Sequence, residues 1–502
     1  MINKAIVSNR SALKAKYGAA GLAAVEAALA ALVTADAARD FSTQIYWIDE
    51  KAQMTRLKGA PPINAKDQRG AKLAVDALVN ALSPDYILLL DGPDVIPHIA
   101  LDNPVPNDED STVDSDLPYA SAAGFTRQAA RYLKITRVVG RVPNLPGAST
   151  PDRLIQLLDI AARAAARPAT EYAGYFGLSA DVWRESTSMS LNETFGDHDQ
   201  LEIAPPAGPP AVSAQFGKLS HFINCHGSSL RPEFYGQSGG NYPISLDSAG
   251  VAANAPAGAV VATECCYGAQ LYDPGVTADP ICIAYLVKGA LGYLGSTTIA
   301  YGPADANGQA DLLTQYFMTN VLHGASLGRA LLQARVRFLS NQAMTDPTNL
   351  KTLAQFLLLG DPSISPCLPE DSTSATQGLM QVVGAADSSA QVKSRRIALA
   401  NESLAVAGGK AVCSGEGEAS EAAKTKVRAI AAARHYDEPK ETLLGVTGGA
   451  DFKRLSKAKD VTQTVMIIST KMPAPPHIIA YKHLIAHLID DGVASIREIV
   501  SR

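Results

Sequence analysis

The sequence predicts an α/β fold built on a largely parallel sheet, and three observations carry that prediction. Strand and helix signals alternate through the first part of the chain, the pattern of a sheet covered by helices on both faces. Short apolar runs such as Tyr86-Ile87-Leu88-Leu89-Leu90 show no polar alternation and read as fully buried strands. Two further runs, 219–225 and 259–263, stop abruptly in small and polar residues. Strands end this way at the carboxyl edge of open α/β sheets, where such folds place their sites.

In order, the pattern gives a strand at 5–7, a helix over 21–38, a strand at 44–48 and a helix over 67–82 with Asp67 as its N-cap. Ser83-Pro84 breaks that helix before the strand at 86–90, which ends at Asp91-Gly92. An irregular stretch over 101–124 carries Asp102, Asp108, Glu109, Asp110, Asp114 and Asp116. It reads as a solvated acidic loop, with a calcium site or a substrate-lining loop as the sharper alternative. A strand at 135–139 is closed by Gly140-Arg141-Val142-Pro143, and Pro151 opens a helix running to about 167. A strand at 172–178, a helix over 181–195 and a Pro-rich link at 205–210 lead to the central pair of strands. Beyond them come a helix at 281–288, a strand at 290–294 and helices at 309–322, 327–339 and 349–358. The Ser/Thr/Asp/Glu-rich stretch 369–377 reads as a linker. The remainder reads as short strands at 379–383, 396–399, 426–431, 442–446 and 464–468, then a helix over 477–488.

A chain of 502 residues exceeds one hydrophobic core. The expected division is an N-terminal α/β subdomain over 1–145, a catalytic domain over 146–368 and an α+β or β-rich accessory domain over 369–502. A net charge of −5 without a basic block argues against nucleic-acid binding. The Ala-rich segment 19–38 is interrupted by Glu26, Thr34 and Asp36 and reads as an amphipathic helix, not a membrane span. With no leader-like start, the expectation is a cytoplasmic protein. The six cysteines (Cys225, Cys265, Cys266, Cys282, Cys367 and Cys413) sit mostly in apolar runs and read as reduced thiols.

The first central run ends in His226-Gly227-Ser228-Ser229 and the second in Glu264-Cys265-Cys266-Tyr267-Gly268. Laid side by side and parallel, they would bring a thiol and an imidazole together as nucleophile and base. The glycines would let backbone N–H groups approach a substrate and hold an oxyanion. A lone cysteine in an apolar run is more often an inert core residue, and it is the placement of both tips after strands and beside glycines that favours the reactive reading. Zinc is disfavoured, because Cys225-His226 and Cys265-Cys266 are adjacent pairs whose side chains diverge in an extended chain. His483 and His487 have helical i, i+4 spacing, but Leu484 stands where a metalloprotease helix needs Glu.

These tips, with the blocks Asp85–Gly92, Asp116-Leu117-Pro118-Tyr119-Ala120, Val139-Gly140-Arg141-Val142-Pro143, Gly289–Ser296 and Leu358–Ser363 in that order, resemble the gingipain-like cysteine peptidases of the caspase-fold clan. The resemblance implies a caspase-like αβα sandwich preceded by a related N-terminal subdomain. It implies a Cys-His dyad in a cysteine endopeptidase that needs no cofactor and acts on protein or peptide substrates through a thioester acyl-enzyme. Cys266 would be the nucleophile, with Cys265 in the family's small-residue slot. His226 would be the general base and acid, and Gly227 and Cys266 would supply the oxyanion N–H groups. Some members orient the histidine with an acid after the Gly-Arg block, where this chain has Asn144-Leu145. Specificity for a basic residue would need a pocket carboxylate, for which Asp159 is one choice and acids in 114–116 or 273–279 are others. An inactive scaffold is the alternative function. Regulation by a partner, by a ligand or by self-cleavage near Lys393-Ser394-Arg395-Arg396 is also expected.

Overall fold

Apolar strands too short to stand alone require neighbours, and ten of them find these in one sheet, eight of them on both edges. The structure, a computed structural model, describes residues 1–209, 213–272, 278–368, 389–448, 463–490 and 492–502. The sheet order is Phe41–Trp47, Ile2–Ser8, Tyr86–Leu90, Val139–Val142, Phe356–Gly360, Gly292–Ser296, Val260–Thr263, Ser220–Asn224, Tyr175–Ala180 and Leu201–Ala204. Every pairing is parallel except Gly292–Ser296 against Phe356–Gly360. The sheet is thus two parallel halves of opposite direction joined at one antiparallel seam. Phe356–Gly360 follows the second half in sequence but pairs in parallel with Val139–Val142, so it closes the first half.

Helices bury the sheet. Arg10–Ala38 places Leu13, Leu22, Val25, Leu29 and Leu32 in the core and packs on Asp152–Arg163. By length and composition alone this helix could cross a membrane, although it bends at Gly18 and one face is packed into the core. Gln309–Leu322 packs between Leu327–Asn341 and Arg184–Phe195. Asp67 caps the helix Gln68–Leu82 as its sequence predicts, accepting from the Gly70 N–H at 2.8 Å.

Buried charges tie the first half together. Lys4 donates to Asp36 at 2.9 Å and also to Asp361, and all three are sealed from solvent. Arg141 donates to both oxygens of Asp116, at 2.9 and 2.7 Å, and to the carbonyls of Asp91 and Ile96. The Gly-Arg and Asp-Leu-Pro-Tyr blocks are therefore two halves of one buried fork–fork pair.

The acidic stretch is ordered. Ile99–Asp102 pairs antiparallel with Thr112–Ser115, and a short helix, Leu117–Ala120, follows. The Gly-Arg block forms a strand instead of closing one, and the strand signal placed at 135–139 belongs to Val139–Val142.

Residues 389–502 depart most from expectation. The segments 396–399 and 426–431 are helical, within Ser389–Gly409 and Glu421–Ala433, not strands. In the second, Ala423, Val427 and Ala431 are buried at a four-residue spacing that a six-residue window cannot show. The predicted helix over 477–488 is the strand Tyr481–Ile489, paired on both edges with Gln463–Lys471 and Gly492–Ser501. An unalternating apolar run fits either state, and pairing decided this one. His483 is consequently not on a helix; it is buried and bonded to Ser469 Oγ at 2.8 Å. Lys393–Arg396 lies on a helix, with Arg396 ion-paired to Asp85 at 3.1 Å, not in a linker. The linker and strand placed at 369–377 and 379–383 lie outside the described residues. The second sheet runs Tyr301–Gly302, Gly492–Ser501, Tyr481–Ile489, Gln463–Lys471, Lys440–Gly448, Ala411–Glu416, so its edge strand comes from the body of the chain.

Lys4→Met should leave Asp361 buried without its cation and Asp36 with Arg39 alone. The expected loss is about 3–5 kcal/mol of stability, the usual cost of breaking one side of a buried pair, read from denaturant unfolding of both proteins.

Candidate active site

Parallel register sets the site. His221 is opposite Val261 and Ile223 opposite Thr263, and the Glu264 N–H continues the ladder to the Ile223 carbonyl at 2.8 Å. Both strands then end at the same edge. His226 leaves the sheet by exchanging two 2.8 Å backbone hydrogen bonds with Tyr235. A Cβ built on Gly227 would overlap the Cys266 carbonyl oxygen and lie 3.3 Å from the Cys266 nitrogen. Only glycine permits this approach. The backbone turns sharply after Cys266, with Tyr267 at φ 56°, a left-handed conformation that an aromatic residue adopts only under external constraint.

That constraint comes from the acidic stretch. Asp110 accepts from the Tyr267 hydroxyl at 2.8 Å and from the Ile299 N–H at 2.8 Å. Lys351 binds Asp108 at 2.6 Å and Asp110 at 2.7 Å, and Tyr301 donates to Asp108 at 3.0 Å. The carboxylates that suggested a cation site thus hold a lysine ammonium and brace the turns flanking Cys266. Asp102 pairs with Arg127 and Asp116 with Arg141. Among the described residues no three Asp, Glu, His or Cys side chains converge as metal ligands.

Cys266 is 1 % exposed, and its Sγ accepts from the Ala300 N–H at 3.2 Å. Burial pushes the thiol up to about 12, partly offset by the backbone of Ala300. His226 is also 1 % exposed. Its Nε2 lies 2.7 Å from Gln237 Oε1, which can only accept, so Nε2 carries the proton. Nδ1 is then the basic nitrogen, buried without a hydrogen bond among the described residues. The ring packs on Trp183 at 4.4 Å and Tyr242 at 5.2 Å. Burial lowers His226 to about 4, Gln237 opposes this, and the nearby Arg502 lowers it further. In this form thiol and imidazole are both neutral.

Cys265 points back into the sheet, near the Ile223 carbonyl at 4.0 Å, and burial raises its thiol well above the ordinary value. Asp159 is not brought to the tips; it stays half exposed on the helix Asp152–Arg163, paired with Arg163. Asn144 donates to Tyr17 at 2.8 Å and to the Thr150 carbonyl, contacts made in the first half of the sheet. Sequence reasoning missed Trp183, Gln237, Ala300 and the bracing role of Lys351. Trp183 had one signal, being one of only two tryptophans; the others had none.

Residues 233–367 match peptidase family C25. The resemblance to gingipain-like cysteine peptidases therefore holds over that segment, which contains Cys266 and begins just after His226, and the match implies cysteine peptidase activity. Among solved structures, one described as "Structure of Protease" is similar at 12% identity and a TM-score of 0.44, covering 99% of this chain and 96% of that one. No curated protein matches significantly.

Gly227→Ala should force the two tips apart. It is expected to cost about 1–3 kcal/mol through overpacking and to remove most activity, which thermal unfolding and peptide hydrolysis on the same samples would read.

Proposed function

We propose that the chain is a cysteine endopeptidase in which Cys266 is the nucleophile and His226 the general base and acid. The carrying observation is the approach of Gly227 to the Cys266 carbonyl, which sets the two strand ends in contact. The Gly227 and Cys266 N–H groups donate no backbone hydrogen bond among the described residues, so they suit an oxyanion. In this reading the Cys266 sulfur attacks the peptide carbonyl carbon while His226 Nδ1 takes the thiol proton. That proton then passes to the leaving amine, and water hydrolyses the thioester. The five parallel strands of the second half, with their helices, serve as a caspase-like sandwich. The first half is its companion subdomain, and residues beyond 368 form an accessory domain.

One observation favours a second reading, a catalytically silent scaffold: both reacting groups are buried, neutral and not hydrogen-bonded to each other.

A peptide-library digest separates the two. Cys266→Ala should lower kcat/KM by at least about 10³-fold, the scale seen when a nucleophile is removed, with the circular dichroism spectrum unchanged. Cys265→Ala should keep activity within a few-fold. Full activity in Cys266→Ala would end the assignment.

A further inference from the structure

A peptidase site whose two reacting groups are each 1 % exposed needs an account of what covers it. The cover is formed by residues 463–490 and 492–502. Tyr242, which packs on His226, donates to the Pro473 carbonyl at 3.4 Å, and the His477 ring lies 4.8 Å from that of Tyr235. Lys471 binds Glu109 of the acidic stretch at 2.6 Å. The strand Gly492–Ser501 reaches furthest in. It runs antiparallel to Tyr301–Gly302, with Ser501 opposite Tyr301 and Val500 opposite Gly302.

Arg502 follows that strand and is 0 % exposed. Its N–H donates to the Ala300 carbonyl at 2.9 Å, while the Ala300 N–H donates to Cys266 Sγ at 3.2 Å. One residue therefore holds both the nucleophile and the incoming backbone. An extended segment laid antiparallel on an edge strand beside a nucleophile is how a peptide is presented by strand addition.

The side chain enters a pocket shaped for it. Nη2 donates to both Asp311 oxygens at 2.7 Å and to the Pro303 carbonyl at 3.0 Å, and lies 3.8 Å from Glu264 Oε2. The guanidinium carbon sits 4.8 Å from the Trp183 ring centroid, a cation–π contact on the same indole that packs His226. A Cβ on Gly302 would overlap Nη2 and lie 2.6 Å from Asp311 Oδ2, so the missing side chain is what opens the pocket. Glu264 and Asp311 lie together in the interior, and burial followed by repulsion from Asp311 raises Glu264 well above the usual carboxylate range. Without a cation the pair would be strongly disfavoured. Only Nη2 meets these acceptors, while Nε and Nη1 have no hydrogen-bond partner among the described residues, so what separates a guanidinium from an ammonium here is its planar stacking on Trp183.

We propose that Arg502 and the strand before it are an internal occupant of the substrate site, an arginine held in the specificity pocket formed by Asp311, Glu264, Trp183 and Gly302. The described form is thus self-blocked and acts only when that strand leaves. The proposal rests on the peptidase reading, and the basic-residue preference that the family resemblance implies sets the choice of readout peptides.

The test uses the chain of residues 1–502 with Arg502→Ala and Arg502→Lys, each checked for cooperative unfolding. Two quantities are read: the rate at which iodoacetamide alkylates Cys266, located by mass, and hydrolysis of fluorogenic peptides with Arg, Lys or Gln before the scissile bond. Alkylation in Arg502→Ala should rise at least about ten-fold, since apparent reactivity scales with the open fraction, and less in Arg502→Lys. Hydrolysis of the Arg peptide should rise with it and exceed that of the Lys and Gln peptides. Alkylation without hydrolysis of any peptide would uphold the internal block and sink the peptidase reading. Equal alkylation and equal hydrolysis in all three proteins would overturn the block, making Arg502 a structural anchor, and leave the peptidase reading standing. If Arg502→Ala does not fold, Arg502→Gln, which keeps an N–H donor for Asp311 but no charge, decides in the same way.

Discussion

The backbone of Gly227 against the carbonyl of Cys266 is the contact on which the site depends. It exists because two short buried strands pair in parallel and end together, so their tips leave the sheet at one edge. A side chain at 227 would separate thiol from imidazole, and a one-residue slip would turn each tip to the other face. The geometry is held by backbone, not by a hydrogen bond between the reacting groups.

Around that contact the molecule uses buried charge to position segments. Lys351 collects Asp108 and Asp110, and Asp110 fixes the turns on either side of Cys266. Lys4 joins the first strand, the first helix and the loop after the seam strand. Arg141 locks Asp116 and two carbonyls. Buried pairs contribute little net stability against an apolar core, but breaking one side is costly, so they select one arrangement over its neighbours. Four of the sequence blocks that carry the family resemblance lie at these locks, which gives them a structural meaning of their own.

Cys266 and His226 both rest in their neutral states. The thiol is raised and the imidazole lowered by the same cause, removal of water. In the proposed peptidase, admitting solvent and a substrate would move both toward their ordinary values, so access and activation would be one event. Trp183 touches both the His226 imidazole and the Arg502 guanidinium, so it links the two.

Much of this was legible in the chain itself. Alternating strand and helix signals, unalternating apolar runs and two tips ending in His-Gly and Cys-Tyr-Gly determined an α/β sheet, its parallel central strands and the residues at its edge. Those features are local, because they follow from which side chains must leave water. Tertiary structure alone decided the rest. Phe356–Gly360 crosses to join the two halves, and Tyr481–Ile489 is a strand because it has partners on both edges. Asp159, on a suggestive helix, faces solvent with Arg163. Arg502 is buried because Asp311, far away in sequence, supplies its counter-charge. A sequence pattern records that a group must be buried or paired; which distant group meets it is settled only when the whole chain is packed.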